Sequence, residues 1–184
     1  PANGAPIISP SQDVVMGCYY LTQALTDRKG EGMTFASTDE VQLAYSLGQV
    51  DTHAEIKIRL PAGRKIKSNR QPAAKGLLTT TVGRVIFNTM LPAGMPYYNV
   101  PMRNSELATV ISDCYATLGR RETIDLLDKM NQLGFRESTR SGLSFATDDL
   151  ITPPTKAKII AATEKAVMRI MKHYQKGVIA EGER

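Results

Sequence analysis

"NSELATVISDCYATLGRRETIDLLDKMNQLG" (residues 104–134) decides the fold class, because it has the pattern of two helices separated by one short turn. In its first half, apolar residues recur at helical spacing and are expected to face a core: Leu107, Val110, Ile111, Cys114 and Leu118. The second half repeats the pattern with Ile124, Leu127, Met130 and Leu133. Asn104 or Ser105 is the expected cap, and Gly119 and Gly134 are the expected ends. Helices joined this closely pack as a helical hairpin.

Two further helices are predicted upstream from their N-terminal signals. In the first, Ser9 is the expected N-cap, Pro10 the first helical residue, and Gln12 the partner in a capping box. Its apolar stripe comprises Val14, Cys18, Leu21 and Leu25. Ser37 and Glu40 form a second capping box before a short helix.

The middle of the chain predicts strands. "HAEIKIRLP" (residues 53–61) alternates apolar and charged residues, which is typical of a half-exposed strand. "LLTTTVGRVIFNTMLPAGMP" (residues 77–96) indicates a strand that turns into a short helix. At its turn, Gly83 indicates tight packing between helix and strand, and Arg84 is either part of that packing or binds an acidic partner.

The last predicted helix runs from Pro154 to Lys176. Ile160, Val167 and Tyr174 recur every seven residues, with Ile170 and Met171 between them, as in one arm of an antiparallel coiled coil. Gly177 is the expected helix end, and "AEGER" after it is expected to begin a returning helix.

These patterns predict an α+β, mainly helical fold with short strands, a helical hairpin and one long terminal coiled-coil helix. The chain starts at Pro1 without a Met and stops within the coiled-coil motif, so we expect a fragment of a larger multi-domain subunit. No apolar run reaches the ~18 residues of a membrane span. Cys18 and Cys114 are expected to be buried thiols.

The net charge of +5 is concentrated in one basic segment, residues 55–76, which carries seven cations and one acid. Such a segment could attract phosphates, and Lys65, Lys67 and Arg70 are the candidate nucleic-acid contacts. It contains no aromatic residue for base stacking, which favours a solvated surface strand and loop.

Two neighbouring carboxylates, Asp148 and Asp149, precede the last helix. Adjacent residues on an extended strand point to opposite faces, so this pair is poorly placed to hold one metal ion. Acids upstream of a helix N-terminus, favoured by its dipole, are the simpler interpretation. His53 and His173 have no partner at ligand spacing, so we predict no catalytic or metal-binding role for either.

Three segments together carry a resemblance to a known family. They are residues 1–22, with "PSQDVV"; residues 80–102, with "TTVGRVIFN" and "PYYNVPM"; and residues 118–184, with "LGRRETIDLLDKMNQLGFRESTRSGLSFATDDLITPP" and "HYQKGVIAEGER". In this order they closely resemble the bacterial DNA-directed RNA polymerase β′ subunit.

The resemblance implies a non-catalytic part of an enzyme that performs DNA-templated RNA synthesis, a nucleotidyltransferase. The family's magnesium-binding catalytic loop and its zinc-binding segments would lie outside this chain, so no catalytic residue, metal or cofactor is expected within it. The implied location is cytoplasmic and nucleoid-associated. The implied partners are the polymerase β subunit, the rest of β′, DNA, RNA and nucleoside triphosphates, with no membrane.

The resemblance also implies three parts: residues 1–102 flanking the active centre, residues 103–153 forming the helical hairpin and funnel loop, and residues 154–184 forming the first arm and tip of the rim coiled coil. Channel-lining candidates in the secondary channel are Gln12, Asp13, Asp148 and Asp149. Candidates for docking Gre-type or DksA-type factors are Tyr174, Lys176, Val178, Ile179 and Glu181. Asp128 matches a family alarmone site, but Asp125 and Gln132 depart from its pattern.

Two other hypotheses remain open at this point. One is an autonomous nucleic-acid-binding module that uses the basic segment, residues 55–76. The other is a metal-dependent hydrolase that uses Asp148 and Asp149.

Overall fold

The computed structural model describes residues 9–61, 63–68 and 76–183, and divides the chain into two compact units, Pro1–Leu143 and Ser144–Arg184. The helices are α1 (Gln12–Thr22), α2 (Thr38–Ser46), α3 (Val82–Thr89), α4 (Asn104–Leu118), α5 (Arg120–Ser141) and α6 (Lys156–Gln175). The strands are β1 (Thr34–Phe35), β2 (Glu55–Arg59), β3 (Ile66–Ser68), β4 (Leu77–Thr81) and β5 (Tyr97–Asn99). The predicted fold class, α+β and mainly helical, is confirmed.

The strands of the first unit form two small sheets. Strand β2 pairs in parallel with β1 and antiparallel with β4, where Ile56 lies opposite Thr80. Ile56 and Ile58 are buried while Lys57 and Arg59 are exposed, as the alternation predicts. Strands β3 and β5 form a separate parallel pair.

Helix α3 lies between two apolar clusters and contributes to both. Phe87 packs into a helical cluster with residues from α1, α4 and α5, including Cys18, Leu107 and Met130. Val82 and Val85 pack into a second cluster against the β1–β2–β4 sheet and α2. The predicted strand that turns into a short helix is therefore the link between the two clusters.

Helices α1 and α5 cross at two glycines. A Cβ atom on Gly17 would overlap the carbonyl oxygen of Gly134, and one on Gly134 would lie 2.7 Å from the Cα of Val14. Only a residue without a side chain lets the two backbones come this close. The prediction that Gly134 ends its helix is therefore wrong: α5 continues to Ser141 because the glycine serves the crossing.

Three other local predictions are also corrected. Helix α1 begins at Gln12 with Ser11 as N-cap, and the Ser9 hydroxyl donates to the Pro10 carbonyl, so the predicted capping box does not form. Helix α1 ends at Thr22, which leaves Leu25 beyond it and 41% exposed. On α5 the predicted core residue Ile124 is 48% exposed, because the buried face is shifted to Thr123, Leu126 and Met130.

The ends of the other helices follow their sequence signals more closely. The Ser37 hydroxyl accepts from the Glu40 amide at 3.2 Å, while the Glu40 carboxylate accepts from the Ala36 amide at 2.6 Å. The α4–α5 hairpin forms, with Gly119 at a positive φ of 84° between the helices. Helix α4 begins at Asn104, and Arg103 is its N-cap. Neither Asn104 nor Ser105, the predicted caps, supplies a capping hydrogen bond.

The second unit consists of the loop that follows Ser144, helix α6 and its end. Helix α6 ends at Gln175. The predicted helix-ending glycine, Gly177, follows it with a φ of 68°. The Gly177 amide donates to the Tyr174 carbonyl and the Val178 amide to the His173 carbonyl, which together form a Schellman motif. A single 3-10 turn, Glu181–Glu183, follows where a returning helix is predicted.

The helix crossing generates the first testable prediction. Replacing Gly17 by Ala places a methyl group against the backbone of α5, which cannot move away as a side chain could. We expect Gly17→Ala to lower the free energy of unfolding by about 3 kcal/mol, measured by urea denaturation of the 184-residue chain.

Gly182→Ala is the matched control, because nothing lies within 4 Å of the added Cβ and its φ is not positive. Equal stability losses in the two variants would contradict the crossing.

Candidate functional site

The first pair of channel-lining candidates lies at the exposed start of α1. Gln12 has a positive φ of 47°, and Asp13 lies in the first helical turn. Both side chains are exposed. An acid in the first turn interacts favourably with the helix dipole, so Asp13 has a local structural role as well as a solvent-facing charge.

The second pair of channel-lining candidates lies in the other compact unit, in the 3-10 turn Thr147–Asp149. The Asp149 carboxylate accepts a hydrogen bond from the Ala146 amide at 2.8 Å, so one of its oxygens is occupied by the turn. Asp148 is exposed beside it. No group of three or more His, Cys, Asp or Glu side chains that could hold a metal ion occurs among the residues described. The acid pair does not fit a resident metal ion, and no chemical step is assigned to it.

The factor-docking candidates lie at the C-terminal end of α6 and just beyond it. Lys176, Val178 and Glu181 are exposed, while Tyr174 and Ile179 are half-buried. The Schellman motif holds Val178, which is 66% exposed, next to the charged Lys176. The structure therefore presents a small mixed apolar and charged surface at this helix end.

The rest of α6 is exposed on all sides within its unit. None of its residues is buried, although it carries a heptad of apolar side chains. Ile160 is 45% exposed and Val167 is 56% exposed, so these apolar side chains form part of the exposed surface of the second unit.

The basic segment is not one continuous free surface. The Lys67 ammonium lies 2.5 Å from the Asp113 carboxylate on α4, and the same carboxylate oxygen accepts from the Tyr98 hydroxyl at 2.5 Å. The Lys67 charge is therefore largely neutralised. Arg70 lies outside the residues described, and Lys65 is exposed at the edge of an open cleft.

The ionisation of this cluster follows from its contacts. Partial burial alone raises the pKa of Asp113, but the hydrogen bonds from Lys67 and Tyr98 outweigh it and hold the pKa below its usual value. Burial, and then the hydrogen bond to Asp113, raise the pKa of Tyr98 well above its usual value. Asp113 is therefore ionised and Tyr98 neutral at physiological pH.

A buried polar network, which the sequence analysis did not predict, joins α1, α3, β4 and β5. Arg84 donates to the Thr22 carbonyl at 3.0 Å and to the Asn99 amide oxygen at 3.2 Å. The Thr80 hydroxyl donates to the same Asn99 oxygen at 2.8 Å. Next to it, a Cβ on Gly83 would overlap the Leu21 carbonyl, so the tight packing at this glycine is between α3 and the end of α1, and not between helix and strand as predicted. Arg84 thus joins α1 to β5 within the unit.

The histidines and cysteines occupy different environments. His53 is buried, with its Nδ1 atom 3.3 Å from the Gln23 carbonyl and its ring edge-to-face with Tyr20. His173 is exposed in the last turn of α6. Cys18 and Cys114 are free buried thiols, as predicted. Burial, and secondarily Glu137, raise the pKa of Cys18 to about 12, which keeps this thiol protonated and unreactive.

The Asp113 cluster generates the second prediction. A carboxyl whose pKa is lowered by folding adds stability above its unfolded pKa of about 3.9, and this contribution is lost as the pH falls through the folded pKa. We expect Asp113→Asn to destabilise the chain at pH 7 and to destabilise it less at pH 2, measured by urea denaturation at both pH values.

Asp125→Asn is the control for this prediction, because Asp125 is an exposed carboxylate on α5. Its effect on stability should be small at both pH values. An Asp113→Asn effect that persists undiminished at acidic pH would contradict the charged cluster.

Comparison with known proteins identifies the family. The family model of RNA polymerase Rpb1, domain 3, matches residues 1–150. Over its whole length the chain is 55% identical to the DNA-directed RNA polymerase subunit beta′ of Rhodopirellula baltica, 39% to that of Xylella fastidiosa and 40% to that of Vesicomyosocius okutanii. It spans 13% of the length of each of these relatives. The resemblance to the bacterial β′ subunit is thereby confirmed, and the chain belongs to the RNA polymerase Rpb1 domain 3 family.

Proposed function

We propose that this chain is a non-catalytic segment of the DNA-directed RNA polymerase β′ subunit that lines the secondary channel and presents a coiled-coil arm to transcription factors. The complete enzyme would perform DNA-templated RNA synthesis, with its magnesium and zinc held by other parts of β′. The segment alone would be inactive. It would work in the cytoplasm at the nucleoid, together with the β subunit, the rest of β′, nucleic acids and nucleoside triphosphates.

The single observation that carries this proposal is the unpaired apolar stripe of α6. The helix has 20 residues, which at ~1.5 Å per residue makes it about 30 Å long. Its apolar side chains at heptad spacing remain exposed within its unit: Ile160, Val167, Ile170 and Met171. A second antiparallel helix from the remainder of β′ would cover them, as the two arms of a coiled coil do.

The end of α6 is the proposed docking surface for factors of the Gre or DksA type. Val178 and Ile179 supply apolar contact area, Lys176 and Glu181 supply charge, and the Schellman motif fixes their backbone. An apolar centre with a charged surround is the usual composition of a protein-binding surface. Tyr174 would add an amphipathic side chain of the kind enriched at such interfaces.

The channel-lining role is supported by the exposure of all four carboxylate and amide candidates. Gln12 and Asp13 in the first unit, and Asp148 and Asp149 in the second, present polar groups to solvent. A passage for nucleotides must stay hydrated, and carboxylates that do not bind phosphate would let triphosphates pass without being retained.

The alternative of an autonomous nucleic-acid-binding module has weaker support. Of its candidate contacts, Lys67 is neutralised by Asp113, and Arg70 lies outside the described residues. Lys65 remains exposed, and so do Lys57 and Arg59 on β2, but residues 55–76 contain no aromatic residue on which a base could stack.

The coiled-coil proposal is tested by a charge placed in the heptad stripe. We expect Val167→Asp in full-length β′, assembled into polymerase, to lower the ratio of Gre-stimulated transcript cleavage to basal cleavage about tenfold. A buried carboxylate without a partner would separate the two arms and displace the docking surface, at a cost of more than 1.4 kcal/mol.

Met168→Asp is the matched control, because Met168 is 71% exposed and lies outside the heptad positions. It should leave the ratio unchanged. An equal fall of the cleavage ratio in both variants, or no fall with Val167→Asp, would contradict the proposed coiled-coil arm.

A further inference from the structure

An open cleft of about 860 Å³ lies in the first unit, at the edge of the β3–β5 sheet. One wall is the segment from Leu91 to Pro96, which presents mainly apolar side chains. The opposite side carries Thr38, Asp39 and Gln42 of α2, together with the cations Arg64 and Lys65. Leu91 and Met95 of this wall also pack into the helical apolar cluster, but the position of the two cations beside an open cleft is not explained by that packing or by the proposed channel and coiled coil.

Arg64 is the unusual member of this lining. Its guanidinium carbon lies 5.5 Å from the centre of the Tyr97 ring, and Tyr97 is buried. Stacking of this kind fixes the plane of the guanidinium while its N–H groups stay available at the edge. The Arg64 side chain has no hydrogen-bond or ion-pair partner in the part of the chain that the structure describes.

Lys67, which lies on β3 three residues after Arg64, provides a direct comparison. Lys67 lies over the next tyrosine of β5, Tyr98, and its charge is met by Asp113. Arg64 has the equivalent position over Tyr97, and among the described residues no acid forms an ion pair with it, although Asp39 also lines the cleft. A half-buried, oriented arginine beside a cleft is therefore a binding group that still lacks its anion.

We propose that this cleft is a docking site for an extended peptide segment that carries a carboxylate next to apolar side chains, supplied by another polypeptide region of the polymerase. The carboxylate would pair with Arg64, with Lys65 adding to the local positive charge. The apolar side chains of the segment would lie against the wall formed by residues 91–96.

Two observations favour a peptide over a nucleic acid. Among the residues described, the cleft lining contains no aromatic side chain on which a base could stack. A phosphate backbone also has no apolar side chains that could be buried against the apolar wall. The occupant must come from outside these residues, and this chain spans only 13% of its relatives, so most of the polymerase is available to supply it.

The proposal depends on the chain's place in polymerase but uses none of the α6 or channel residues. Its failure therefore leaves the coiled-coil experiment unaffected, and the reverse also holds.

The test is photocrosslinking in polymerase assembled with full-length β′. The photoreactive residue p-benzoylphenylalanine replaces Gln42, an exposed cleft residue, or Leu43, an exposed neighbour on α2 that does not line the cleft. Crosslinked peptides are identified by mass spectrometry. We expect the Gln42 position to crosslink to one peptide that contains Asp or Glu beside apolar residues, and the Leu43 position not to crosslink to that peptide.

Charge variants then test the role of Arg64. We expect Arg64→Glu to lower the Gln42 crosslink yield per assembled polymerase about tenfold, because a charge-assisted hydrogen bond is replaced by repulsion. Arg59→Glu, the same charge change on the exposed face of β2, should leave the yield unchanged. Arg64→Gln, which is a milder change, should also lower the yield and serves if the Glu variant does not assemble.

A reciprocal change provides the strongest confirmation. Replacing the acid of the crosslinked peptide by Lys should restore the yield in the Arg64→Glu polymerase. The proposal is overturned by crosslinking of the Gln42 position to RNA, DNA, a second copy of β′ or a peptide without an acid, by the absence of any crosslink, or by equal losses from Arg64→Glu and Arg59→Glu.

Discussion

The architecture of the first unit depends on the direct backbone contact between α1 and α5 at Gly17 and Gly134. The carbonyl of one helix occupies the space where the other would carry a side chain. This contact brings Val14 and Cys18 of α1 onto the same apolar cluster as Met130 and Leu133 of α5. A similar close approach at Gly83 sets α3 against the end of α1. Three positions without side chains thus determine how three helices meet, and the polar network around Arg84 and Asn99 then joins α1 and α3 to β5.

Much of this fold could be predicted from the sequence because the signals are local. The alternation of residues 55–59, the helical periodicity of residues 104–118 and the glycine after α6 depend only on neighbouring residues. Gly134 shows the limit of this reasoning. Its role depends on a helix more than 100 residues away, so a local interpretation predicts a helix end where the structure has a helix crossing. The exposure of Ile124 has the same origin, since the position of α1 decides which face of α5 is buried.

The candidate site residues were predicted from the family resemblance and not from local sequence patterns. The residues and their order indicate the polymerase family, and the comparisons confirm it. The roles of Gln12, Asp13, Asp148 and Asp149, and the division at residues 102 and 153, stay predictions. The partners of Lys67 and Arg64 could not be foreseen, because the pairing of β3 with β5 brings them over two adjacent tyrosines. The same basic segment therefore contains one neutralised cation and one cation without an acid, which composition alone does not distinguish.

We propose that this chain has no activity alone but is required for RNA synthesis by the complete polymerase. The most direct measurement is RNA synthesis from a promoter-independent template, using β′ divided into this 184-residue chain and the flanking segments, together with the β subunit and the rest of the core enzyme. We expect no RNA synthesis from this chain alone and none from the mixture that lacks it. We expect synthesis when the chain is added and enters the complex. A chain that folds but stays outside the complex, or synthesis that does not require it, would contradict the account.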